Sequence, residues 1–352
     1  MRPTPILTVG RGAARRPARV LGFFARWVFV GIVSLVVLEL LCHVVQLSGD
    51  SMTVDYVADP YLPYRMKPGS GGVSAFGVAY EINAVGLRSP EVVAPKPAGV
   101  FRILVLGDSI TLGYGLRSEA GYTRLLEKMI GGPRVEVINA GASGWHFEDF
   151  VAFLEHYGAA LEPDMVVCAF TRSDVDPPMK LEIRGGVGYD PGENVGFVPP
   201  FVKKTLRHSR LYLAIGRARW ALGKMPKERT EAARNVAILE QWHAVERTLE
   251  HLRSLCKERR LPLLIAYLPV QIEVMRGVEY PVLIERFAQS NAPDYHFINV
   301  LPEFVAQNDK VLFLPKDTAH PNVLGHQIIA RAIAADAFFL RSLPPGAKLA
   351  AP

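Results

Sequence analysis

The stretch RILVLGDSITLGYGL, residues 102–116, determines how the rest of the chain is interpreted. Its apolar run predicts a buried strand that ends at Gly107, directly before Asp108 and Ser109. Aspartate and serine are common where helices begin, because their oxygens cap free N–H groups. Ser109 is therefore either a nucleophile at the end of a strand or a polar residue at the start of a helix. The choice depends on a base, an orienting acid and an oxyanion site elsewhere in the chain.

Strand and helix patterns alternate from this motif to the C-terminus. Apolar strand runs occupy residues 101–107, 134–139, 164–170, 262–268 and 296–300, and helical patterns occupy 119–130, 146–160, 231–260 and 322–342. The alternation predicts an α/β fold, a three-layer α/β/α sandwich with a mainly parallel five-stranded sheet. Ligands of such sheets bind beyond the carboxyl ends of the strands, which is where Ser109 lies.

Changes of composition divide the chain into segments. Residues 48–95 contain many Pro, Gly and Ser and form a lead-in with short strands, including one at 77–88. Residues 96–343 form the α/β domain, and 344–352 form a C-terminal tail. An insert at 176–230, rich in Gly, Pro and basic residues, interrupts the alternation. A connection this long is typical of an active-site flap or a partly disordered insert.

The N-terminal region is typical of a membrane anchor. The apolar run WVFVGIVSLVVLELLCHVVQL, residues 27–47, is long enough to cross a bilayer. All arginines of the N-terminal tail, 1–26, precede it, so this tail is expected in the cytoplasm and the domain outside the inner membrane, in the periplasm. A cleaved signal peptide would have a shorter apolar stretch and small residues at its exit. Glu39 within the run is expected to pair with His43, the alternative being a contact with another membrane helix.

Composition excludes several classes of function. The 352 residues are 49% hydrophobic, which allows a large core. The net charge is +6, but residues 1–50 contain six Arg against Glu39 and Asp50, so the rest of the chain has little excess charge and no nucleic-acid partner is expected. Three widely spaced cysteines form neither a disulfide framework nor a metal-binding pattern. His320 and His326 lack helical metal spacing, so no metal is expected.

A candidate base and acid stand near the C-terminus, in KDTAHPNVLGH at residues 316–326. Asp317 and His320 are three residues apart, about one turn. An acid at this spacing can accept the imidazole N–H, so that the other ring nitrogen can take a proton from Ser109. Taken singly, these residues are typical of turns and helix starts. Together with Ser109 they indicate nucleophilic catalysis.

Three blocks of the sequence resemble a known family. LGDSITLG, INAGASGW at residues 138–145 and DTAHPN resemble the SGNH hydrolases of the GDSL esterase–lipase superfamily, over about residues 80–342. The resemblance implies the flavodoxin-like SGNH fold and no cofactor. It implies Ser109 as nucleophile, Asp317 and His320 as acid and base, and the backbone N–H groups of Ser109 and Gly144 as oxyanion donors.

A further block of the family departs from its usual pattern here. The family has Gly-x-Asn-Asp after the third strand, where this chain reads AFTRSDV. Ser173 stands in place of the asparagine that donates to the oxyanion, and Thr171 stands in place of the glycine. Ser173 is expected to be the replacement donor, with a scaffold that has lost activity as the alternative. Arg172 is expected to point to solvent, with charge stabilisation at the site left open.

These features predict a membrane-anchored serine esterase. The resemblance suggests an acylated envelope glycan or lipid as substrate, and the sequence leaves protein partners unknown. An O-acyltransferase and a non-catalytic envelope scaffold remain as alternatives. Nucleotide binding is excluded because the glycines after the first strand match neither phosphate-binding pattern. An ordinary α/β-hydrolase is excluded because G-x-S-x-G is absent.

Overall fold

Five parallel strands form the central sheet in the computed structural model of the chain. They are β1 (Phe101–Gly107), β2 (Val135–Gly141), β3 (Met165–Phe170), β4 (Leu263–Tyr267) and β5 (Tyr295–Asn299), in the spatial order β5-β4-β3-β1-β2. All neighbouring pairs are parallel. Each strand lies within one or two residues of its predicted position, so the predicted parallel sheet is confirmed.

The structure describes most of the chain. The described residues are 15–45, 53–74, 76–131, 134–176, 182–189, 199–215, 231–278, 280–289, 294–315 and 317–349. The first part of the predicted cytoplasmic tail, the start of the lead-in and the last residues of the C-terminal tail lie outside these ranges. Three stretches of the insert, 177–181, 190–198 and 216–230, lie outside them as well.

Helices cover both faces of the sheet. On one face lie Phe147–His156, Glu231–Glu258 and Pro281–Ala288; on the other lie Tyr122–Met129, Gln271–Arg276, Leu301–Val305, Val323–Ala335 and Ala337–Ser342. A hydrophobic core lies between the sheet and the helices on each face. Successive side chains of β1 pack into these two cores alternately, because side chains of a strand point to opposite faces of the sheet. Leu104 packs into the first core and Val105 into the second. The predicted three-layer sandwich is therefore confirmed.

The closing helix differs from its prediction. Residues 322–342 form two helices, Val323–Ala335 and Ala337–Ser342, where one was predicted. Asp336 interrupts the first helix with extended backbone, and its Oδ1 accepts a hydrogen bond from the Phe339 N–H at 2.9 Å. A carboxylate in this position caps a new helix, so the chain bends where the periodicity alone predicts continuation.

The lead-in forms two small antiparallel hairpins. Tyr56–Val57 pairs with Arg65–Met66, and Gly71–Val73 pairs with Ala79–Glu81. The strand predicted at 77–88 is therefore much shorter than expected, because a turn begins at Asn83, whose Oδ1 accepts the N–H groups of Val85 at 3.1 Å and Leu87 at 2.9 Å. At the other end of the chain, Lys348–Leu349 pairs with Ile130–Gly131.

The N-terminal helix spans Arg15–Val44. Its segment Gly22–Val44, 23 residues with a mean hydropathy of 2.3, is long and apolar enough to cross a membrane, and only 6% of it is buried. The span thus begins earlier than the predicted 27–47. Glu39 pairs with His43 as expected, with 3.1 Å between Oε1 and Nε2.

The described part of the insert packs against the lead-in. It contains a hairpin, Glu182–Arg184 with Val187–Tyr189, and the helix Pro200–Leu206, followed by a helical turn at 210–215. Lys204 Nζ lies 3.0 Å from Asp55 Oδ2. Whether the insert acts as a flap over the site stays a prediction.

Candidate active site

The turn after β1 separates the roles of Asp108 and Ser109. A short helix, Ser109–Leu112, begins here, and Asp108 caps it by accepting the Ile110 N–H at 2.8 Å. The Ser109 Oγ lies 2.8 Å from His320 Nε2. The capping role that raised the ambiguity belongs to Asp108, which leaves the Ser109 hydroxyl to the histidine.

Gly107 allows this turn to pack closely on the sheet. A Cβ at Gly107 would lie 2.0 Å from Thr111 Oγ1 and 2.8 Å from the carbonyl oxygen of Ala169. The Thr111 hydroxyl is itself hydrogen-bonded to Tyr122 Oη at 2.8 Å, so it has little freedom to move away. Only glycine at this position lets the helix carrying Ser109 sit directly on the end of β1.

Asp317 and His320 lie on one tight turn before the helix Val323–Ala335. His320 Nδ1 is 2.8 Å from Asp317 Oδ2, and Asp317 Oδ1 accepts the N–H groups of Ala319 at 2.8 Å and His320 at 2.9 Å. With Nδ1 donating to the carboxylate, Nε2 presents its lone pair toward Ser109. The structure therefore brings the three predicted residues into one continuous chain of hydrogen bonds.

The environment of Asp317 favours its ionised form. Burial raises the pKa of this carboxyl, but the hydrogen bonds from the His320 ring and from two backbone N–H groups outweigh burial and hold the pKa below its usual value. The side chains of Asp317 and His320 are each 17% exposed. A charged acceptor at Nδ1 stabilises the imidazolium that forms when His320 takes a proton.

The second block forms a turn against the nucleophile strand. Ala142 N–H donates to the Gly107 carbonyl at 3.1 Å, and Gly144 has a φ of +76°, a conformation that favours glycine. Tyr64 holds this turn from the lead-in. Its hydroxyl donates to the carbonyl of Ser143, and its own carbonyl accepts from Trp145 Nε1 at 3.2 Å. The role of Gly144 as an oxyanion donor stays a prediction.

The block AFTRSDV, residues 169–175, is held by its own side chains. Ser173 Oγ lies 2.9 Å from Thr171 Oγ1. The Asp174 carboxylate accepts the Thr171 N–H at 2.7 Å, and burial raises the pKa of Asp174 well above its usual value. The Ser173 hydroxyl thus has a partner within its own turn, and its role as an oxyanion donor also stays a prediction.

Arg172 does not point to solvent as expected. Its side chain is 16% exposed, and Nη1 donates to Asp176 Oδ1 at 2.8 Å. The guanidinium also lies 5.5 Å from the centre of the Tyr280 ring. The sequence prediction was wrong because it considered only the residue's place after β3, whereas Asp176 and Tyr280 hold the side chain against the protein.

Arg88, which the sequence analysis did not single out, supports the nucleophile turn. Its Nη1 donates to the carbonyls of Leu112 at 2.9 Å and Gly113 at 2.8 Å, and its Nη2 donates to Leu116 at 2.6 Å. The guanidinium lies 3.6 Å from the centre of the Tyr80 ring. In the sequence, Arg88 appears only as a single arginine after Gly86 and Leu87, and no motif marks it as a functional residue.

We expect Arg88→Met to destabilise the protein by at least about 3 kcal/mol, because hydrogen bonds from a charged donor contribute about 1.5–3 kcal/mol each. Methionine fills similar space but leaves the three carbonyls without their donor. Urea unfolding of the full-length protein in detergent, followed by circular dichroism, measures the loss. Arg88→Lys retains the charge with one donor group. Its stability should lie between that of the unsubstituted protein and that of Arg88→Met. Unchanged stability in Arg88→Met would show that the contacts are dispensable.

An aromatic ring packs against His320, and a backbone hydrogen bond holds His326. The Tyr114 ring, also missed from sequence, lies 4.4 Å from the His320 ring, centre to centre, and packs against it. His326 is buried, and its Nδ1 accepts the Tyr122 N–H at 3.1 Å. Burial lowers the pKa of His326 to about 3, so it is a neutral core residue.

The structure contains no candidate metal centre in the part of the chain that it describes. No group of three or more His, Cys, Asp or Glu side chains among the described residues is arranged to hold an ion. The three cysteines are free and buried, each without a disulfide partner.

Comparison with known proteins returns solved structures. No family model matches the chain, and no curated protein matches it. A lipolytic protein of the G-D-S-L family from Veillonella parvula is 14% identical, covering 66% of this chain and 96% of its own, with a TM-score of 0.38. An acetylxylan esterase from Geobacillus stearothermophilus is 18% identical, covering 69% and 93%, with a TM-score of 0.38.

A third solved structure is a two-domain esterase active on acetylated mannans. It is 19% identical, covering 72% of this chain and 53% of its own, with a TM-score of 0.39. The activities and substrates in these names belong to those proteins. The similarity of this chain to the SGNH hydrolases, the superfamily of G-D-S-L esterases and lipases, rests on its sequence blocks.

Proposed function

We propose that this chain is a membrane-anchored serine esterase that hydrolyses acyl or acetyl ester bonds. The observation that carries the proposal is the continuous hydrogen-bonded chain from Ser109 through His320 to Asp317. A nucleophile, a base and an orienting acid in this order are what acyl transfer requires. The position of Ser109 at the carboxyl end of β1 agrees with where such sheets bind ligands.

In the first half of the reaction, the Ser109 oxygen attacks the ester carbonyl carbon. His320 Nε2 takes the hydroxyl proton, and the carboxylate of Asp317 stabilises the resulting imidazolium. The tetrahedral intermediate collapses when the C–O bond to the alcohol breaks. The imidazolium returns the proton to the leaving alcohol, so the products are the free alcohol and an acyl group on Ser109.

The developing oxyanion needs donors that are in place beforehand. We assign this role to the backbone N–H groups of Ser109 and Gly144, with the Ser173 hydroxyl as a third candidate. In the second half, water attacks the acyl-enzyme with His320 again as base, which releases the acid and restores Ser109. A sugar hydroxyl in place of water would make the same site an O-acyltransferase.

We further propose an acylated carbohydrate or lipid of the cell envelope as substrate. The apolar helix Gly22–Val44 supports a single-pass anchor in the inner membrane, and the arginines before it support a cytoplasmic N-terminus. The domain with Ser109 would then face the periplasm, where such substrates occur. A reporter fused to the C-terminus that proves cytoplasmic would contradict this topology.

Hydrolysis of p-nitrophenyl esters of short and long acyl chains by the purified full-length protein tests the activity. We expect turnover that is blocked by a fluorophosphonate reacting at Ser109, with the label located by peptide mass spectrometry. The chain-length profile separates deacetylation from lipase activity. A protein that neither turns over these esters nor takes up the label at Ser109 would contradict the esterase proposal.

A non-catalytic envelope scaffold is the second candidate, and the block AFTRSDV, residues 169–175, favours it. Ser173 replaces the asparagine of the family, and its hydroxyl is engaged with Thr171. Loss of one oxyanion donor typically lowers kcat by about 10²- to 10³-fold. The hydrogen-bonded arrangement of Ser109, His320 and Asp317 favours the esterase, since a scaffold has no use for it.

We expect Ser173→Asn to raise kcat by up to about 10²-fold, because the longer amide can donate where the serine hydroxyl is short. The measurement is steady-state hydrolysis of p-nitrophenyl acetate, with KM determined separately. Ser173→Ala is the matched control and should lower kcat if the hydroxyl donates. If asparagine lowers kcat and alanine leaves it unchanged, position 173 is not part of the oxyanion site.

A further inference from the structure

Glu39 of the apolar helix is hydrogen-bonded to the insert of the hydrolase domain. Its carboxylate accepts from the Ser209 hydroxyl at 2.7 Å and from the backbone N–H groups of Arg210 at 2.7 Å and Leu211 at 3.0 Å. These contacts cap the helical turn that begins at residue 210. A carboxylate that is costly in an apolar span is thus stabilised by the insert as well as by His43.

The contact lies close to the end of the span that leads into the domain. Glu39 precedes Val44, the last residue of the span, by five positions, which is about 8 Å of helix. A span of 23 residues is about 34 Å long and slightly exceeds the hydrocarbon core of a bilayer, about 30 Å thick. If the excess is shared by the two ends, Glu39 lies about 6 Å inside the edge of the hydrocarbon core, and the segment bound to it lies at the same level. Interfacial helices bury their apolar faces to a similar depth, about 5–10 Å.

The composition of the bound segment suits that boundary. Residues 199–215 read PPFVKKTLRHSRLYLAI, with four Lys or Arg and no Asp or Glu. Phe201 is 73% exposed and Ile215 is 54% exposed, so more than half of each of these large apolar residues is uncovered by the protein. Exposed apolar residues among cationic ones are typical of segments that lie on a membrane with anionic headgroups.

The same segment is tied to the lead-in beside the candidate site. Lys204 and Arg207 lie 3.0 Å and 3.5 Å from the Asp55 carboxylate. The next residue, Tyr56, packs its ring 4.4 Å from that of Tyr64, which holds the Ser143 carbonyl. A short series of contacts thus connects the apolar helix to the turn that contains Gly144.

We propose that residues 199–215 lie on the outer surface of the bilayer that the apolar helix spans, with Phe201 and Ile215 inserted among the lipids. The segment is then a second, interfacial part of the anchor. Its contacts with Glu39 and Asp55 hold the hydrolase domain in one orientation to the membrane, so that the site serves substrates at that surface. This inference rests on the proposed membrane anchoring.

Fluorescence quenching in vesicles tests the proposal on the full-length chain. Single cysteines at Phe201, Ile215 and Val93 are labelled with bimane, and the protein is reconstituted in phosphatidylethanolamine and phosphatidylglycerol with lipids that have a shallow doxyl quencher. Val93 is the control, because it is 54% exposed and its carbonyl accepts from Arg102 at the opposite end of β1 from Ser109. The native cysteines are at most 6% exposed, so little bimane should react with them. Bimane treatment of the unsubstituted chain gives the background fluorescence that they contribute.

We expect quenching at Phe201→Cys and Ile215→Cys and none above background at Val93→Cys. Adding Glu39→Leu, which leaves the span more apolar but removes the acceptor, should reduce quenching at residue 215 to the level of residue 93. Labels at 201 and 215 quenched no more than at 93 would overturn the proposal. Flotation of the same vesicles separates the two claims: a chain that does not float with lipid contradicts the anchoring itself.

Discussion

Replacing Ser109 with alanine should lower kcat/KM for p-nitrophenyl esters by about 10⁴- to 10⁶-fold, because the proposed reaction loses its nucleophile. The substitution removes one hydroxyl and leaves His320 Nε2 without its 2.8 Å partner. Backbone donors for the oxyanion remain, so a small residual rate above that in water is expected. The measurement is steady-state hydrolysis together with fluorophosphonate labelling, and the variant should take up no label.

Ser342→Ala is the matched control for this experiment. Ser342 lies on the last helix, Ala337–Ser342, where its hydroxyl donates to the Phe338 carbonyl at 2.8 Å. It should keep the full rate and the full labelling. A Ser109→Ala variant that retains the rate of the unsubstituted protein would remove the proposed mechanism, whichever ester is used.

Asp317→Asn should lower kcat by about 10⁴-fold with the fold intact. Asp317 accepts from His320 Nδ1 and from two backbone N–H groups. An asparagine in this position would turn its amide N–H₂ toward Nδ1, which favours the tautomer with the proton on Nε2. His320 could then no longer take the proton of Ser109, so the rate falls although every atom has nearly kept its place.

The carboxylate control for Asp317→Asn is Asp336→Asn. Asp336 caps the last helix, so its replacement should lower stability by about 1 kcal/mol or less without an effect on kcat. Equal loss of kcat in the two variants would show a general effect of replacing a largely buried carboxylate rather than a role of Asp317 in the reaction. Circular dichroism of both variants confirms that each is folded before rates are compared.

The direction of the Asp317 pKa also predicts part of the pH dependence. A carboxyl whose pKa is held below its usual value stays ionised as the pH falls to about 4, so its stabilising contribution is lost only below that. Protonation of Asp317 therefore contributes nothing to a loss of rate between pH 8 and pH 5. The measurement is the rate of hydrolysis as a function of pH. If the rate falls between pH 8 and pH 5 in the unsubstituted protein but not in an Asp317 variant that is still active, Asp317 titrates in this range and the prediction is wrong.

Much of the fold could be predicted from local patterns. The five strands lie within one or two residues of their predicted bounds, because a short continuous apolar run between turn residues is typical of a strand buried on both faces. Ser109, Asp317 and His320 were predicted because block order and a spacing of three residues are visible along the chain. Helix ends were less accurate. The break at Asp336 depends on one capping carboxylate, which periodicity does not reveal.

The sequence by itself determined the sheet, the apolar N-terminal helix and the identity of the three residues proposed for catalysis. Only the tertiary structure decided what supports them: Arg88 on the nucleophile turn, Tyr64 on the Ser143 carbonyl and Glu39 on the insert. It also turned Arg172 toward Asp176, against the prediction. The physical reason is the separation along the chain over which each interaction acts. Periodicity and capping act over one or two turns, whereas these side chains find most of their partners only after distant segments have docked.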